Sequence, residues 1–373
     1  MDLSDLLYVL ALQHIPNLGD STAKKLIRHL GSSEAVLKSK KESLLKLDGI
    51  GNIKLKGLHD SRNLHAAQAE LKFIQENNIR YHYYQDPEYP EKLKHCSDGP
   101  ILLFSRGKID LRNNKIISIV GTRNITIQGT VFCEKLIEEL APLDPVIISG
   151  FAYGVDITAQ KAAVKNKLQT VGCLAHGLNQ IYPKTHSKYV EQVEENGGFF
   201  TDFWSTNAFE RTNFLKRNRI IAGLSEATIV IESAEKGGSL VTADIANSYN
   251  REVFAVPGRP KDLQSRGATV RAFDPVAMEV AKQSLPKVEM MQDAYSLAKE
   301  ADALIVVTDW NEFKNLDLER IHDSMRQPVL VDGRNIYIPA QIKALGFTYR
   351  GVGRGYNGGA ELESEIAIRP HAA

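Results

Sequence analysis

The sequence predicts an α/β protein: a parallel sheet covered on both faces by helices, preceded by a small helical segment and followed by a second, smaller α/β unit. Three observations carry this reading. From Lys115 to Gly258, short β-branched apolar runs (IISIVG, VIISG, TVGCLA, ATIVIE, EVFAVPG) are separated by stretches of helical periodicity. Strand and helix in alternation imply parallel strands joined by helical crossovers. Residues 1–65 read instead as short amphipathic helices, with Leu26, Ile27 and Leu30 spaced for one face and glycine-rich turns between them. Beyond Gly267 the alternation resumes in ATVRAFDP, ADALIVVTDW and PVLVDGRN, which places another α/β unit over about 268–354.

A chain of 373 residues leads us to expect two or three domains with ample packed interior. Hydrophobic residues make up 43% and charged residues 24%, the balance of an ordinary globular protein rather than a disordered or fibrous one. Lys plus Arg total 46 against 45 Asp plus Glu, so any basic surface must be a local patch. Charge is uneven along the chain: residues 267–373 hold 12 Lys/Arg and 15 Asp/Glu, which leaves residues 1–266 at net +4. The three cysteines, Cys96, Cys133 and Cys173, lie far apart without metal-ligand spacing, a pattern that suits a reducing compartment and indicates no metal site. The opening MDLSDLLYVLALQHIP lacks a basic n-region and a cleavage site, and no apolar run approaches the ~20 residues of a membrane span. A cytoplasmic location is expected.

Two stretches, IPNLGDSTAKKLI (15–27) and LDGIGNIKLKGL (47–58), each read as helix, glycine turn and helix. In helix-hairpin-helix modules such a turn offers backbone N–H groups to a nucleic-acid phosphate, and Lys24, Lys25, Lys54 and Lys56 are spaced to add charge. An ordinary helical hairpin whose glycines only turn the chain explains the pattern equally well.

In the central region KIISIVG runs into TRNITIQG, a strand, a phosphate-type loop and a helix. Gly121 permits close backbone approach there, and Arg123 can fork onto a phosphate. The dinucleotide fingerprint GxGxxG is absent, so no nicotinamide cofactor is expected. SGFAYGVDITAQKAA puts Gly150 and Gly154 at the carboxyl edge of the sheet, where open α/β folds hold ligands. From Arg211 to Ile220 four basic residues and no acidic ones surround Phe214. Cations for phosphates beside a ring for unpaired bases are the requirements of a single-strand site. On residue type alone, Arg219 reads more simply as a carboxylate partner and Phe214 as a core ring. His176 has no partnered nucleophile and reads as a hydrogen-bonding loop residue. Asp156 reads as a helix-start residue favouring the dipole, and Glu232 as a strand-end carboxylate.

Taken in order, SIVGTR, ISGFAYGVDITAQ, AHGLNQIYPKTH, GGFFTDF, NFLKRNRIIAGLS, EKGGSLVTADIA and REVFAVPGRP resemble the DprA (Smf) family of DNA processing proteins. With YPEKLKHCSDGPILLF ahead of them, the likeness covers about residues 1–266. It implies an extended Rossmann fold that binds single-stranded DNA without strong sequence preference, loads RecA recombinase in natural transformation, forms a homodimer, and is not an enzyme. Carried over to matching positions, it places the basic pocket at Arg123, Lys184, Lys188, Arg217 and Arg219, the stacking ring at Phe214, and the pocket floor at Gly121, Gly150 and Gly154.

Beyond Gly267 that likeness stops. GATVRAFDPVAMEVAK, AYSLAKEADALIVVTDWNEFKNLDLERI, PVLVDGRNIY and ALGFTYRGVGR resemble the C-terminal domain of UDP-glucose 6-dehydrogenases, and Arg334 matches a substrate-contacting arginine of that family. The nicotinamide domain, the catalytic-cysteine domain and the first strand and helix of the tail domain have no counterpart. The chain thus reads as a fusion joined within QSRGATV. The expected division is a helix-hairpin-helix-type domain over 1–65, a DprA-like Rossmann domain over 80–266, a truncated Rossmann-like, dehydrogenase-like unit over 267–354 and a flexible tail over 355–373. Because a sheet lacking its first strand exposes an edge, loose packing is expected for 268–354. The competing functional reading is a nucleotide-sugar-binding protein contacting a UDP-sugar through Arg334, without dehydrogenase activity.

Overall fold

The computed structural model describes residues 1–112, 115–234, 237–256, 268–286 and 288–351. The proposed flexible tail, 355–373, and most of the join string lie outside them. The chain divides into two compact units, Met1–Phe254 and Ala255–Ala373. Among the described residues no helix is long and apolar enough to cross a membrane.

The first unit opens with helices α1 (Leu3–Gln13), α2 (Asp20–Leu30), α3 (Ser33–Lys38), α4 (Lys41–Leu44), α5 (Asn52–Leu55) and α6 (Ser61–Glu76). Their ends follow local chemistry. Gly31 closes α2 in the left-handed region at φ 89°, and the Ser32 hydroxyl accepts from Ala35 N at 3.1 Å to start α3. Leu26 and Ile27 are buried on the face that the spacing predicts, with Leu30 packed against the same cluster.

The sheet is built from β1 (Arg80–Tyr83), β2 (Leu102–Gly107), β3 (Ile116–Val120), β4 (Val146–Ser149), β5 (Thr170–Cys173), β6 (Gly197–Thr201), β7 (Ala227–Val230) and β8 (Glu252–Ala255). Their spatial order is β1-β2-β6-β5-β4-β3-β7-β8. Neighbours from β6 through β7 pair parallel, whereas β2 pairs antiparallel with both β1 and β6. Helices α8 (Ile127–Leu140), α9 (Val155–Lys165), α10 (Val190–Glu195), α11 (Arg211–Leu224) and α12 (Gly238–Ser248) supply crossovers, and the short α7 (Glu91–Lys94) precedes β2. The expected α/β fold with a large parallel sheet is thus observed, with β1 and β2 added antiparallel at one edge.

Side chains alternate across this sheet, and the two faces feed two apolar clusters. Leu102, Phe104 and Phe199 join the N-terminal helices in one cluster, while Leu103 and Phe200 join Ile220, Ile221 and Leu224 of α11 in the other. The helical segment and the sheet therefore share a core. Chain order runs from β3 outward to β4 on one side and later to β7 on the other, so the topological switch point lies between β3 and β7. Open α/β sheets hold ligands in the crevice outside the carboxyl ends of the strands at this point.

The second unit has a parallel three-stranded sheet of β11 (Leu304–Val306), β12 (Val329–Asp332) and β13 (Thr348–Gly351), and a two-stranded pair of β9 (Arg271–Ala272) and β10 (Glu289–Met290). The expected loose packing is corrected here. Leu304, Val306, Leu330 and Tyr349 form a buried cluster with Ile321, Phe313, Ile342 and Phe347. Asp332, fully buried, accepts from Arg334 N at 3.1 Å, Tyr337 N at 3.0 Å and the Tyr349 hydroxyl at 2.9 Å. A buried carboxylate with three donors fixes the turn after β12.

Candidate nucleic-acid interface

A cavity of about 350 Å³ opens at the switch point. Its walls come from the loop after β3 (Gly121, Thr122, Arg123), the start of α9 (Tyr153, Asp156), one face of α11 (Arg211, Phe214, Arg217, Asn218) and the first turn of α12. The Arg123 guanidinium lies 4.8 Å from the centroid of the Phe214 ring. Arg123 is exposed, and no carboxylate lies within ion-pair distance of it among the described residues. Phe214 is half-buried, not a core ring, and its neighbours are aromatic: Phe209 at 5.7 Å and Tyr182 at 5.8 Å, themselves 4.6 Å apart. The exposed Arg123 guanidinium and the half-buried Phe214 ring thus form a cation–π pair at the mouth of the cleft.

Arg217 is different in kind. Only 3% of it is exposed. Its Nη1 donates to Gly150 O at 2.7 Å and to Cys173 O, which ties the ends of β4 and β5 to α11. Burial lowers its pKa, and the nearby Asp156 carboxylate counteracts this. Burial likewise pushes Asp156 above the usual carboxylate range, with Arg217 opposing. A Cβ built on Gly150 would stand 2.5 Å from Arg217 Nη2. Gly150 therefore makes room for this charge pair.

Gly121 and Gly154 also admit protein rather than ligand on their Cα faces. A Cβ on Gly121 would meet Glu232 O at 2.8 Å, and one on Gly154, at φ +74°, would lie 2.6 Å from the Arg123 carbonyl carbon. Of the three glycines assigned to the floor, Gly121 lines the cavity, and the other two hold its walls together.

Arg219 does not reach this cavity. It lines a separate hollow of about 280 Å³, where its Nη2 bonds Asp202 and, at 3.1 Å, Asp20, while Nη1 donates to Asp98 O. Burial alone would lower its pKa, but Asp202 and Asp20 hold it above the ordinary value. The carboxylate-partner reading of Arg219 is the one the geometry supports. The residue fastens α2 to the sheet.

Lys184 and Lys188 are exposed on a 3-10 helix, Lys184–Tyr189. Neither lysine is among the described residues that line the cavity; the helix is joined to its wall through Thr185, whose hydroxyl bonds Tyr153 Oη at 3.3 Å, while His186 bonds Phe151 O at 3.0 Å. Lys188 lies 5.1 Å from the Tyr189 ring. Of the lysines of the N-terminal hairpins, Lys25 and Lys56 are exposed and Lys54 is half-buried, whereas Lys24 is enclosed. Lys24 is buried, its pKa lowered by burial, and donates to Cys96 O at 3.3 Å; Lys25 bonds Asp48 O, and Lys54 donates to Gly49 O at 2.8 Å. Lys24 is thereby withdrawn from the phosphate-facing role that the spacing suggested.

His176 donates from Nδ1 to Gly177 O at 2.9 Å, and its buried Nε2 has no hydrogen-bond partner among the described residues. Burial lowers its pKa, and none of its hydrogen bonds joins it to a serine or cysteine. Glu232 accepts from Thr126 N at 2.9 Å and Thr126 Oγ1 at 2.5 Å, so it serves the start of α8. In the second unit Arg334 is exposed on the turn after β12 and pairs with Asp309 at 3.5 Å. The rings Tyr153, Tyr182 and Phe209 were not singled out from the sequence. The signal for Phe209 was its position just ahead of the basic run, and that for Tyr182 its place two residues before Lys184.

The family described as DNA recombination-mediator protein A matches residues 80–285, more than half of the chain. The Smf protein of Synechocystis sp. is 31% identical over 268 residues, covering 71% of this chain and 67% of that protein. DprA of Bacillus subtilis is 38% identical over 181 residues, 48% of this chain and 61% of its own length. This chain thus spans about two thirds of these curated relatives. The X-ray structure of DprA from Streptococcus pneumoniae superposes with a TM-score of 0.59 at 24% identity, covering 79% of this chain and 96% of that one, a likeness of fold. The UDP binding domain of the UDP-glucose/GDP-mannose dehydrogenase family matches residues 259–339. The UDP-glucose 6-dehydrogenase of Rhizobium meliloti is 44% identical over 92 residues, 25% of this chain and 21% of that enzyme. With the seven ordered motifs and the switch-point fold, these matches show that the chain belongs to the DprA/Smf family, with a C-terminal segment similar to the UDP binding domain of another.

Proposed function

We propose that the first unit binds single-stranded DNA without strong sequence preference, and that the protein serves DNA processing in natural transformation as a non-enzymatic homodimer that loads RecA recombinase. The observation that carries the binding step is the exposed Arg123 guanidinium seated 4.8 Å over the Phe214 ring in the switch-point cleft. Phosphate charge and base stacking are both met there, while base-edge readout is not required, which favours sequence tolerance. Arg211, Lys184 and Lys188 extend the positive edge. Arg217 acts by holding the cleft open between β4, β5 and α11. The relatives from Bacillus subtilis and Streptococcus pneumoniae are named DNA processing protein DprA, which supports the cellular role.

The test is a paired titration of the full chain with an oligothymidylate and with UDP-glucose. Saturable oligonucleotide binding with no UDP-glucose binding is the expected result. UDP-glucose binding that disappears in Arg334→Ala, without oligonucleotide binding, would replace this reading by the nucleotide-sugar one.

A further inference from the structure

From Ile157 to Val190 the chain carries five lysines, Lys161, Lys165, Lys167, Lys184 and Lys188, and no aspartate or glutamate, a local excess larger than the net +4 of residues 1–266. All five are exposed. The fold brings two of them, from separate elements, to one ring. Lys161 of α9 stands 5.5 Å from the centroid of Tyr189, and Lys188 of the 3-10 helix Lys184–Tyr189 stands 5.1 Å from it. Among the described residues neither ammonium lies within ion-pair distance of a carboxylate, Glu191 of α10 included. Two cations held against one ring repel each other, and a polyanion laid across them removes that repulsion. A row of rings joins this pair to the cleft. Tyr153, 43% exposed, lines the cavity; its ring lies 5.1 Å from that of His186, which lies in turn 6.1 Å from Tyr189. The Thr185 hydroxyl, 3.3 Å from Tyr153 Oη, ties the first ring to the 3-10 helix.

We propose that a single strand leaving the cleft runs over this ledge, with Lys161 and Lys188 on its phosphates and Tyr153 and Tyr189 under its bases; the inference rests on the single-stranded DNA reading. The cleft volume, about 350 Å³, sits at the small end of the ligand-pocket range of roughly 300–1,000 Å³, so most of a longer strand must lie outside it. His186 is buried, which leaves Tyr153 at the cleft wall and the half-buried Tyr189 as the rings that a base can meet. Cations interleaved with rings suit an unpaired strand, because every base has a face to stack and every phosphate a charge to neutralise. A duplex keeps its bases stacked on one another and has no use for the rings.

The experiment measures the salt dependence of full-chain binding to oligothymidylates of about four and about twelve nucleotides, lengths within the range of roughly 4–16 that single-strand sites cover. The longer one should bind more tightly and with the steeper slope of log K against log salt. Lys161→Ala, an exposed change to a good helix former, should cut the longer oligonucleotide's slope by ~0.7, one phosphate's share, and leave the shorter one's unchanged. Lys161→Arg should keep the wild-type slope at both lengths. Tyr189→Leu, which keeps an apolar side chain in the half-buried position, should weaken the longer oligonucleotide by roughly fivefold or more and spare the shorter. Equal slopes at the two lengths, or a longer-oligonucleotide slope that Lys161→Ala leaves unchanged, overturn the ledge and leave the cleft reading standing. Failure of both oligonucleotides to bind removes the single-strand reading and the ledge with it.

Discussion

At the scale of single residues, neighbouring basic side chains on α11 have separate tasks. Arg217 is buried on carbonyls, Arg219 is half-buried on carboxylates, and the half-buried Phe214 ring lies against Arg123 and Phe209. Phe214→Ala should weaken oligonucleotide binding by ~1 to 3 kcal/mol and leave its salt slope unchanged, because a base loses its platform while the phosphate contacts persist. Fluorescence anisotropy at several salt concentrations measures both quantities. A loss of folding in that variant would make the ring structural. Arg219→Ala should instead lower unfolding stability by about 1 to 3 kcal/mol in urea titration, since the partly buried Asp202 would lose its charged donor. The sequence marked Arg123, Phe214 and Arg217 for the cleft because they sit in ordered motifs. Residue type alone pointed to a carboxylate partner for Arg219 but not to which one, since Asp20 and Asp202 are distant in sequence and meet Arg219 only through the tertiary fold.

At the scale of elements, β3, β4, β5 and β7 were legible because each is a β-branched run with a clear end. The antiparallel part was not. In β6, Gly197 and Gly198 adopt φ of 148° and 153°, and a Cβ on Gly107 of β2 would lie 2.6 Å from Gly198 Cα. Glycines that allow two backbones to approach look like turn residues when read singly. The same elements bury His82 on β1 and His176 after β5, each held below its ordinary pKa chiefly by burial. The unfolded chain therefore takes up these protons first as pH falls below about 6.5. Their contribution to stability is complete above that value and declines beneath it. Urea midpoints should thus be lower near about pH 5.5 than at about pH 7.5, and His176→Gln should narrow the gap. An unchanged gap in the variant would show that His176 is not among the groups responsible.

At the scale of the whole molecule, two units with separate apolar clusters carry likenesses to two families. The change of family was readable from motif order alone. The packing of the second unit was not, because its core depends on Phe313, Ile321, Ile342 and Phe347 from segments between the strands. Deleting residues 268–373 should leave oligonucleotide affinity unchanged by anisotropy, since the cleft is lined by residues 120–242. A marked fall in affinity would assign the second unit a part in binding. The central claim is that phosphate charge is met in the switch-point cleft, and the salt dependence of single-strand affinity tests it most directly. With about three phosphates neutralised, log K should fall against log salt with a slope near ~−2, and Arg123→Ala should reduce that slope by ~0.7. Affinity that stays flat from low to moderate salt, or a slope that Arg123→Ala leaves unchanged, would contradict it.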